Sequence, residues 1–242
     1  DIGGSTDRSA MVRESIDHIL AIWAGEPPYD REGEYWQVKV KDMSRAEFGV
    51  GHFVKPRQLP HPPIAISIMS PNSSSALMAG ERGWIPISGA SFMQPRYTGS
   101  HWKKYQEGAE RAGRAADPAV WRVSRSIIVA DSDQAAYDYI MNPDGPIAFW
   151  YQYLLSSLKA RGLVKFIAPD GHANPDEVTW QEAATDMVSW GAPATVVDKL
   201  VALRDRVGPF GVLTMLAHEW DDVTFCQRSM QLLAQEVMPA FS

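Results

Sequence analysis

Cysteine is nearly missing from this chain: Cys226 is the only one in 242 residues. That excludes an internal disulfide framework and points to a reducing, cytoplasmic setting. No apolar run reaches the length of a membrane span, and no leader peptide is expected. Positive charge is short, since 23 Lys and Arg face 29 Asp and Glu for a net charge of −6. A chain with that balance is not expected to take nucleic acid or an anionic membrane as a partner. Gly-x-Ser-x-Gly is absent, so a hydrolase nucleophile lacks its signature. Gly-x-Gly-x-x-Gly is absent too, and with it the dinucleotide fingerprint. His101, His172 and His218 have no cysteine or carboxylate at ligand spacing, so no metal site is expected.

What is present is a large apolar share, 45%, and nine tryptophans, enough for a sizeable core. The most informative stretch runs from Pro63 to Gly80. Ile64-Ala65-Ile66-Ser67-Ile68-Met69 reads as a buried strand, Ser70-Pro71-Asn72-Ser73-Ser74-Ser75 as a turn, and Ala76-Leu77-Met78-Ala79-Gly80 as a close-packing helix. A helix start carries partial positive charge, and hydroxyls beside it add donors, so a phosphate fits there. The alternative is an over-supplied N-cap, because serine is favoured at that position anyway.

Elsewhere the periodicity predicts helices over 9–24, 99–113, 133–141, 146–161, 193–207 and 222–238. Short apolar runs predict strands at 64–69, 84–88, 121–130 and 211–217. Residues 29–62 read as an excursion of short strands and loops, and 163–179 as a loop. Alternating strand and helix means α/β with a parallel sheet. Four such strands are half of what a closed (β/α)₈ barrel needs.

Several segments carry a resemblance. They are Met11-Val12-Arg13-Glu14-Ser15 with Ile22-Trp23, Glu32-Gly33-Glu34-Tyr35-Trp36, and Leu77-Met78-Ala79-Gly80-Glu81-Arg82. Glu26-Pro27, Gly145-Pro146-Ile147 with Tyr153-Leu154, Gly191-Ala192-Pro193 with Thr195-Val196, Ala217-His218-Glu219 and Glu236-Val237-Met238-Pro239 complete the set. In this order and spacing the chain resembles the C-terminal two-thirds of bacterial-luciferase-like flavin monooxygenases, most of all the diketocamphane monooxygenases. The resemblance implies a TIM-like (β/α)₈ barrel of which residues 1–242 supply the second half as one domain. The N-terminal half would lie on a segment outside this chain, and residues 1–6 would sit in the long loop after the fourth strand.

The resemblance also implies FMN as cofactor. Asn72, Ser73, Ser74 and Ser75 are then the phosphate positions, with Met69 and Ser70 beside the flavin and Trp180 loosely matching a tryptophan near the flavin phosphate. His218 is the candidate catalytic residue; the alternative for His218-Glu219-Trp220-Asp221 is a solvated turn capping the next helix. The implied reaction is that of a two-component, FMNH2-dependent monooxygenase. It would use O2 through a C4a-peroxyflavin on an apolar, ketone or terpenoid-like substrate, by Baeyer–Villiger oxidation or hydroxylation. A separate NADH:flavin reductase would supply the reduced FMN, and a homodimer is expected. Rival readings are a deazaflavin-dependent oxidoreductase and a non-catalytic flavin-binding relative or subunit. Trp84, Phe92 and Trp220 suit an apolar substrate. Arg125, between Ser124 and Ser126 in an apolar strand, must pair with something or reach a cavity. Phe149, Trp150 and Tyr153 share one stretch of helix, as core or dimer surface before substrate pocket.

Overall fold

The structure, a computed structural model, describes residues 8–41, 45–50, 54–89 and 91–241. Residues 1–6, expected in a loop after a fourth barrel strand, lie outside the described residues. The chain divides into two compact units, Asp1–Ile64 and Ala65–Ser242.

In the first unit, helix α1 (Arg8–Ala24) accompanies an antiparallel hairpin of β1 (Tyr29–Glu32) and β2 (Gln37–Val40). The Glu14 carboxylate joins them by accepting the backbone N–H groups of Glu34, Tyr35 and Trp36. Burial raises the Glu14 pKa, but those three donors outweigh it and hold the carboxyl below its ordinary value. Trp36 Nε1 returns a bond to the Met11 carbonyl at 3.2 Å. Two of the sequence segments that carried the resemblance are thus physically tied.

The second unit is built on five parallel strands: β3 (Ala65–Ile68), β4 (Ile85–Gly89), β5 (Arg122–Val129), β6 (Val188–Gly191) and β7 (Val212–Met215). β5 is central and long. Its first half pairs β4 and β7, and its second half pairs β6. Among the described residues the sheet is open, with β3 at one edge and β7 paired only to β5. This is the α/β, parallel-sheet class expected; the strand Val188–Gly191 was not among the four expected.

Helices α2 (Ser74–Arg82) and α3 (Pro95–Arg111) cross at glycines. A Cβ on Gly80 would stand 2.0 Å from the Tyr105 carbonyl oxygen, and one on Gly108 2.0 Å from that of Leu77. No other residue permits that approach. Helix α3 starts four residues earlier than the periodicity suggested, with Pro95 in its first turn. Beyond it come α4 (Asp133–Met141), α5 (Pro146–Lys159), α6 (Trp180–Met187) and α7 (Pro193–Val207). The last expected helix is divided into α8 (Val223–Leu232), a π-turn at Leu233–Val237 and α9 (Met238–Phe241).

One apolar core joins α4, α5 and α6 through Ile140, Ile147, Tyr151, Leu155, Ala183 and Met187. A second is aromatic: Trp102 stacks on both Tyr105 and Trp121 at centroid distances of 5.0 and 5.3 Å. Arg125 turns into the helix layer. It is buried, and donates to the Asp186 carbonyl at 2.8 Å and to Ser189 Oγ at 3.3 Å. It also lines a cavity of about 220 Å³ with Asp186, Lys199 and Arg206, so polar partners and a cavity both answer the question its position raised.

Candidate functional site

The serine turn sits at the C-terminal end of β3, where parallel α/β sheets place their ligands. Ser73 is the N-cap of α2 and is buried; its Oγ accepts the Ser75 N–H at 3.2 Å. The Ala76 and Leu77 N–H groups go to the Ser73 carbonyl. The helix start is therefore partly self-capped rather than a row of bare amides. An anion there would meet the exposed side chains of Ser70, Asn72 and Ser74 and the half-buried Ser75, with the helix dipole behind them. Asn72 takes a left-handed backbone, φ 51°, which asparagine tolerates better than most residues.

Helix α3 holds this turn from below with two consecutive side chains. Ser100 Oγ accepts the Asn72 N–H at 3.0 Å and itself donates to the Tyr97 carbonyl at 2.6 Å. His101 Nε2 lies 3.0 Å from the Ser70 carbonyl oxygen, and its Nδ1 lies 3.0 Å from Ser88 Oγ on β4. Trp121 Nε1 donates to the same Ser88 Oγ at 2.8 Å. An indole can only donate and a carbonyl can only accept, so the direction of the chain is forced. Trp121 donates to Ser88, the Ser88 hydroxyl donates to His101 Nδ1, and His101 Nε2–H donates to Ser70. Burial keeps the imidazole neutral by pushing its pKa down to about 4, against the opposing pull of the Ser70 carbonyl. Ser88, Ser100, His101 and Trp121 were not among the expected site residues. Their signal is tertiary, since they come from β4, α3 and the residue before β5.

Met69, half exposed, leans over the end of β4: a Cβ on Gly89 would lie 3.0 Å from Met69 Sδ and 2.8 Å from Phe92 Cδ2. Phe92 packs edge-on against Trp150 of α5 at 5.5 Å, and Trp150 packs edge-on against His218 at 6.1 Å. Gly89 here is the last residue of its strand, so this line of contacts runs along the C-terminal ends of β3, β4 and β7. It joins Met69 to His218.

His218 Nε2 lies 2.9 Å from Ser126 Oγ of β5, and burial holds its pKa below the ordinary value. At neutral pH it is a neutral imidazole that can give or take one hydrogen bond. Beside it opens a cavity of about 440 Å³ lined by Pro146, Phe149, Trp150, Ala217, His218 and Glu219 among others. The loop carrying His218 is fixed at its far end: Tyr139 Oη donates to Asp221 Oδ1 at 2.8 Å, and Asp222, not Asp221, caps α8 through the Phe225 N–H. The cap on α8 thus comes from Asp222, just beyond the stretch His218–Asp221, while His218 and Glu219 line the cavity.

The other expected residues fall elsewhere. Trp180 opens α6 behind the Thr179–Glu182 capping box and lines a groove with Gln152, Leu155, Ser156 and Lys159 of α5. None of the serine-turn residues shares that groove. The Trp180 ring also packs against the core joined by α4, α5 and α6. Trp84 is buried under Arg82 rather than open to a substrate. Tyr153 is exposed, and of the α5 aromatics Phe149 and Trp150 reach the cavity. Among the described residues no three His, Cys, Asp or Glu side chains gather as metal ligands, and no helix is long and apolar enough to cross a membrane.

Comparison with known proteins bears directly on this arrangement. Across 236 residues the chain is 31% identical to 3,6-diketocamphane 1,6-monooxygenase of Pseudomonas putida, covering 95% of this chain and 61% of that enzyme. It is 27% identical to 2,5-diketocamphane 1,2-monooxygenase 1 of the same organism over 240 residues, with 93% and 63% covered. The solved oxygenating constituent of the 3,6-diketocamphane enzyme, a type II Baeyer–Villiger monooxygenase in complex with FMN, superimposes with a TM-score of 0.81 at 28% identity, covering 99% of this chain and 65% of that one. A monooxygenase from Streptomyces bottropensis shares the fold, with a TM-score of 0.64 at 18% identity over 97% of this chain and 62% of its own. The chain thus spans about three-fifths of the length of these relatives. The luciferase-like monooxygenase family matches residues 4–208, and the chain belongs to that family.

Proposed function

We propose that this chain is the flavin-binding, oxygenating part of an FMN-dependent monooxygenase that acts on a small apolar ketone. The observation that carries the reading is the serine turn, set at the C-terminal end of β3 and gripped from α3. A related protein of the same fold is in complex with FMN. The turn also fits the group chemically, because the Ser70, Asn72 and Ser74 side chains are exposed at a helix start.

Ser70, Asn72, Ser73, Ser74 and Ser75 would hold the phosphate. Met69 would lie along the ring system, and Phe92 and Trp150 would give an apolar wall. Bound FMN, once reduced, supplies the activation of O2. The protein's own part is to orient the substrate and exclude water. The cavity beside Trp150 takes the substrate, and His218, oriented by Ser126, offers a neutral imidazole to its polar atom. A separate NADH:flavin reductase delivers the reduced flavin, and the assembled enzyme is a homodimer.

The chain's strands form the later part of a barrel whose other strands lie outside this sequence. Alternate residues of β3 and β7 are exposed on a parallel sheet, where both faces are ordinarily covered.

The test mixes the protein with photoreduced FMN, O2 and 3,6-diketocamphane, then follows oxygen consumption and lactone formation. Lactone in stoichiometry with O2 is the expected result. Flavin binding without product makes the chain a non-catalytic flavin carrier, and hydride transfer from a reduced deazaflavin instead makes it an oxidoreductase of that kind. Either outcome defeats the proposal.

A further inference from the structure

The serine turn is not held by its own residues alone. Its two backbone polar groups that face inward, the Ser70 carbonyl and the Asn72 N–H, bracket Pro71 and are taken by adjacent residues of α3. One of them belongs to a residue with a left-handed backbone, Asn72 at φ 51°, a conformation that costs energy and persists only where the surroundings impose it. The grip is itself anchored. His101 is fully buried and is oriented by Ser88, which Trp121 orients in turn. Ser100 is fixed by the Tyr97 carbonyl. Helix α3 is pressed onto α2, the helix that the turn opens, at the Gly80–Gly108 crossing. The turn and the helix start are therefore tied to α3 by two hydrogen bonds and a close helix crossing.

We propose that Ser100 and His101 are positioning residues: a clamp on α3 that presets the 70–75 turn in its anion-receiving shape without touching the ligand. The clamp rests on the reading of this turn as the FMN phosphate site. A preset site gains affinity because the ordering cost is met during folding and not on binding. Removing one such bond from a turn in water is expected to weaken the ligand about three- to tenfold.

Ser100→Ala, Ser100→Thr and His101→Asn are compared with the unaltered chain in two measurements. The first is amide hydrogen exchange across residues 69–76 without flavin. Ser100→Ala and His101→Asn are expected to speed exchange there, and Ser100→Thr, which keeps the hydroxyl, to restore it. The second is FMN affinity from quenching of flavin fluorescence, expected to fall about three- to tenfold in Ser100→Ala and to recover in Ser100→Thr. Unchanged exchange in Ser100→Ala overturns the clamp. Faster exchange with unchanged FMN affinity overturns its role in binding. Absence of FMN binding by the unaltered chain would defeat the functional reading instead, while the exchange measurement still decides whether the clamp exists.

Discussion

At the scale of single residues, the roles proposed for the turn and the histidine separate experimentally. Ser74→Ala with Ser75→Ala removes hydroxyls at a helix start whose N-cap is Ser73. FMN affinity is expected to fall about tenfold, with a melting temperature close to that of the parent. His218→Ala should do the reverse: flavin titration unchanged, turnover of ketone down at least about tenfold, since the imidazole faces the cavity beside Trp150 and not the turn. His101 makes a third, pH-dependent prediction. Its folded pKa is depressed to about 4 from 6.5, so between those values the unfolded chain binds a proton that the folded chain refuses. Its contribution to stability is complete above pH 6.5 and is lost as pH falls towards 4. Thermal melts from pH 7 to pH 4 should show a slope that His101→Gln flattens; an identical slope in the variant refutes the assignment.

At the scale of elements, local signals and tertiary ones part company. The helices 133–141 and 193–207 have the bounds that their apolar spacing and terminal residues predicted. Ser132 caps the first, and Pro193 starts the second. Helix α6 and strand β6 escaped because they are short. The capping box Thr179-x-x-Glu182 was there to be read, but the helix it opens has only eight residues, and the alternation of Val188-Ser189-Trp190-Gly191 spans only four. β6 is a strand because Ser126–Val129 of β5 offers it a partner. In the candidate site, the serine turn was legible because its chemistry is contiguous, whereas Ser88, His101 and Trp121 meet only through the sheet and α3. The helix crossing yields the prediction at this level. Gly80→Ala places a methyl group 2.0 Å from a backbone oxygen that cannot turn aside. The helices must separate, at a cost of at least about 2 kcal/mol in urea unfolding.

At the scale of the whole molecule, the described residues form an open parallel sheet in which β3 and β7 are half-exposed. Such edges are kept from association in natural proteins by cover or by charge. A ligand bound only to the folded form should therefore matter more than usual. FMN at about a hundred times its dissociation constant adds about 2.7 kcal/mol, an expected rise of about 5–10 °C in melting temperature for a chain of this size. Scanning fluorimetry with FMN and with riboflavin, which lacks the phosphate, checks it. An equal rise with both would mean that the serine turn takes no part.

The α/β class, the longer helices and the position of the serine turn were determined by the sequence itself. They depend on periodicity, capping and turn chemistry, which act over a few residues. Tertiary structure alone decided that β5 serves three neighbours, that Trp180 packs against α5, and that His101 and Ser100 hold the turn. Each of those depends on side chains tens of residues apart meeting across a packed interface, and no local pattern encodes which pairs will meet.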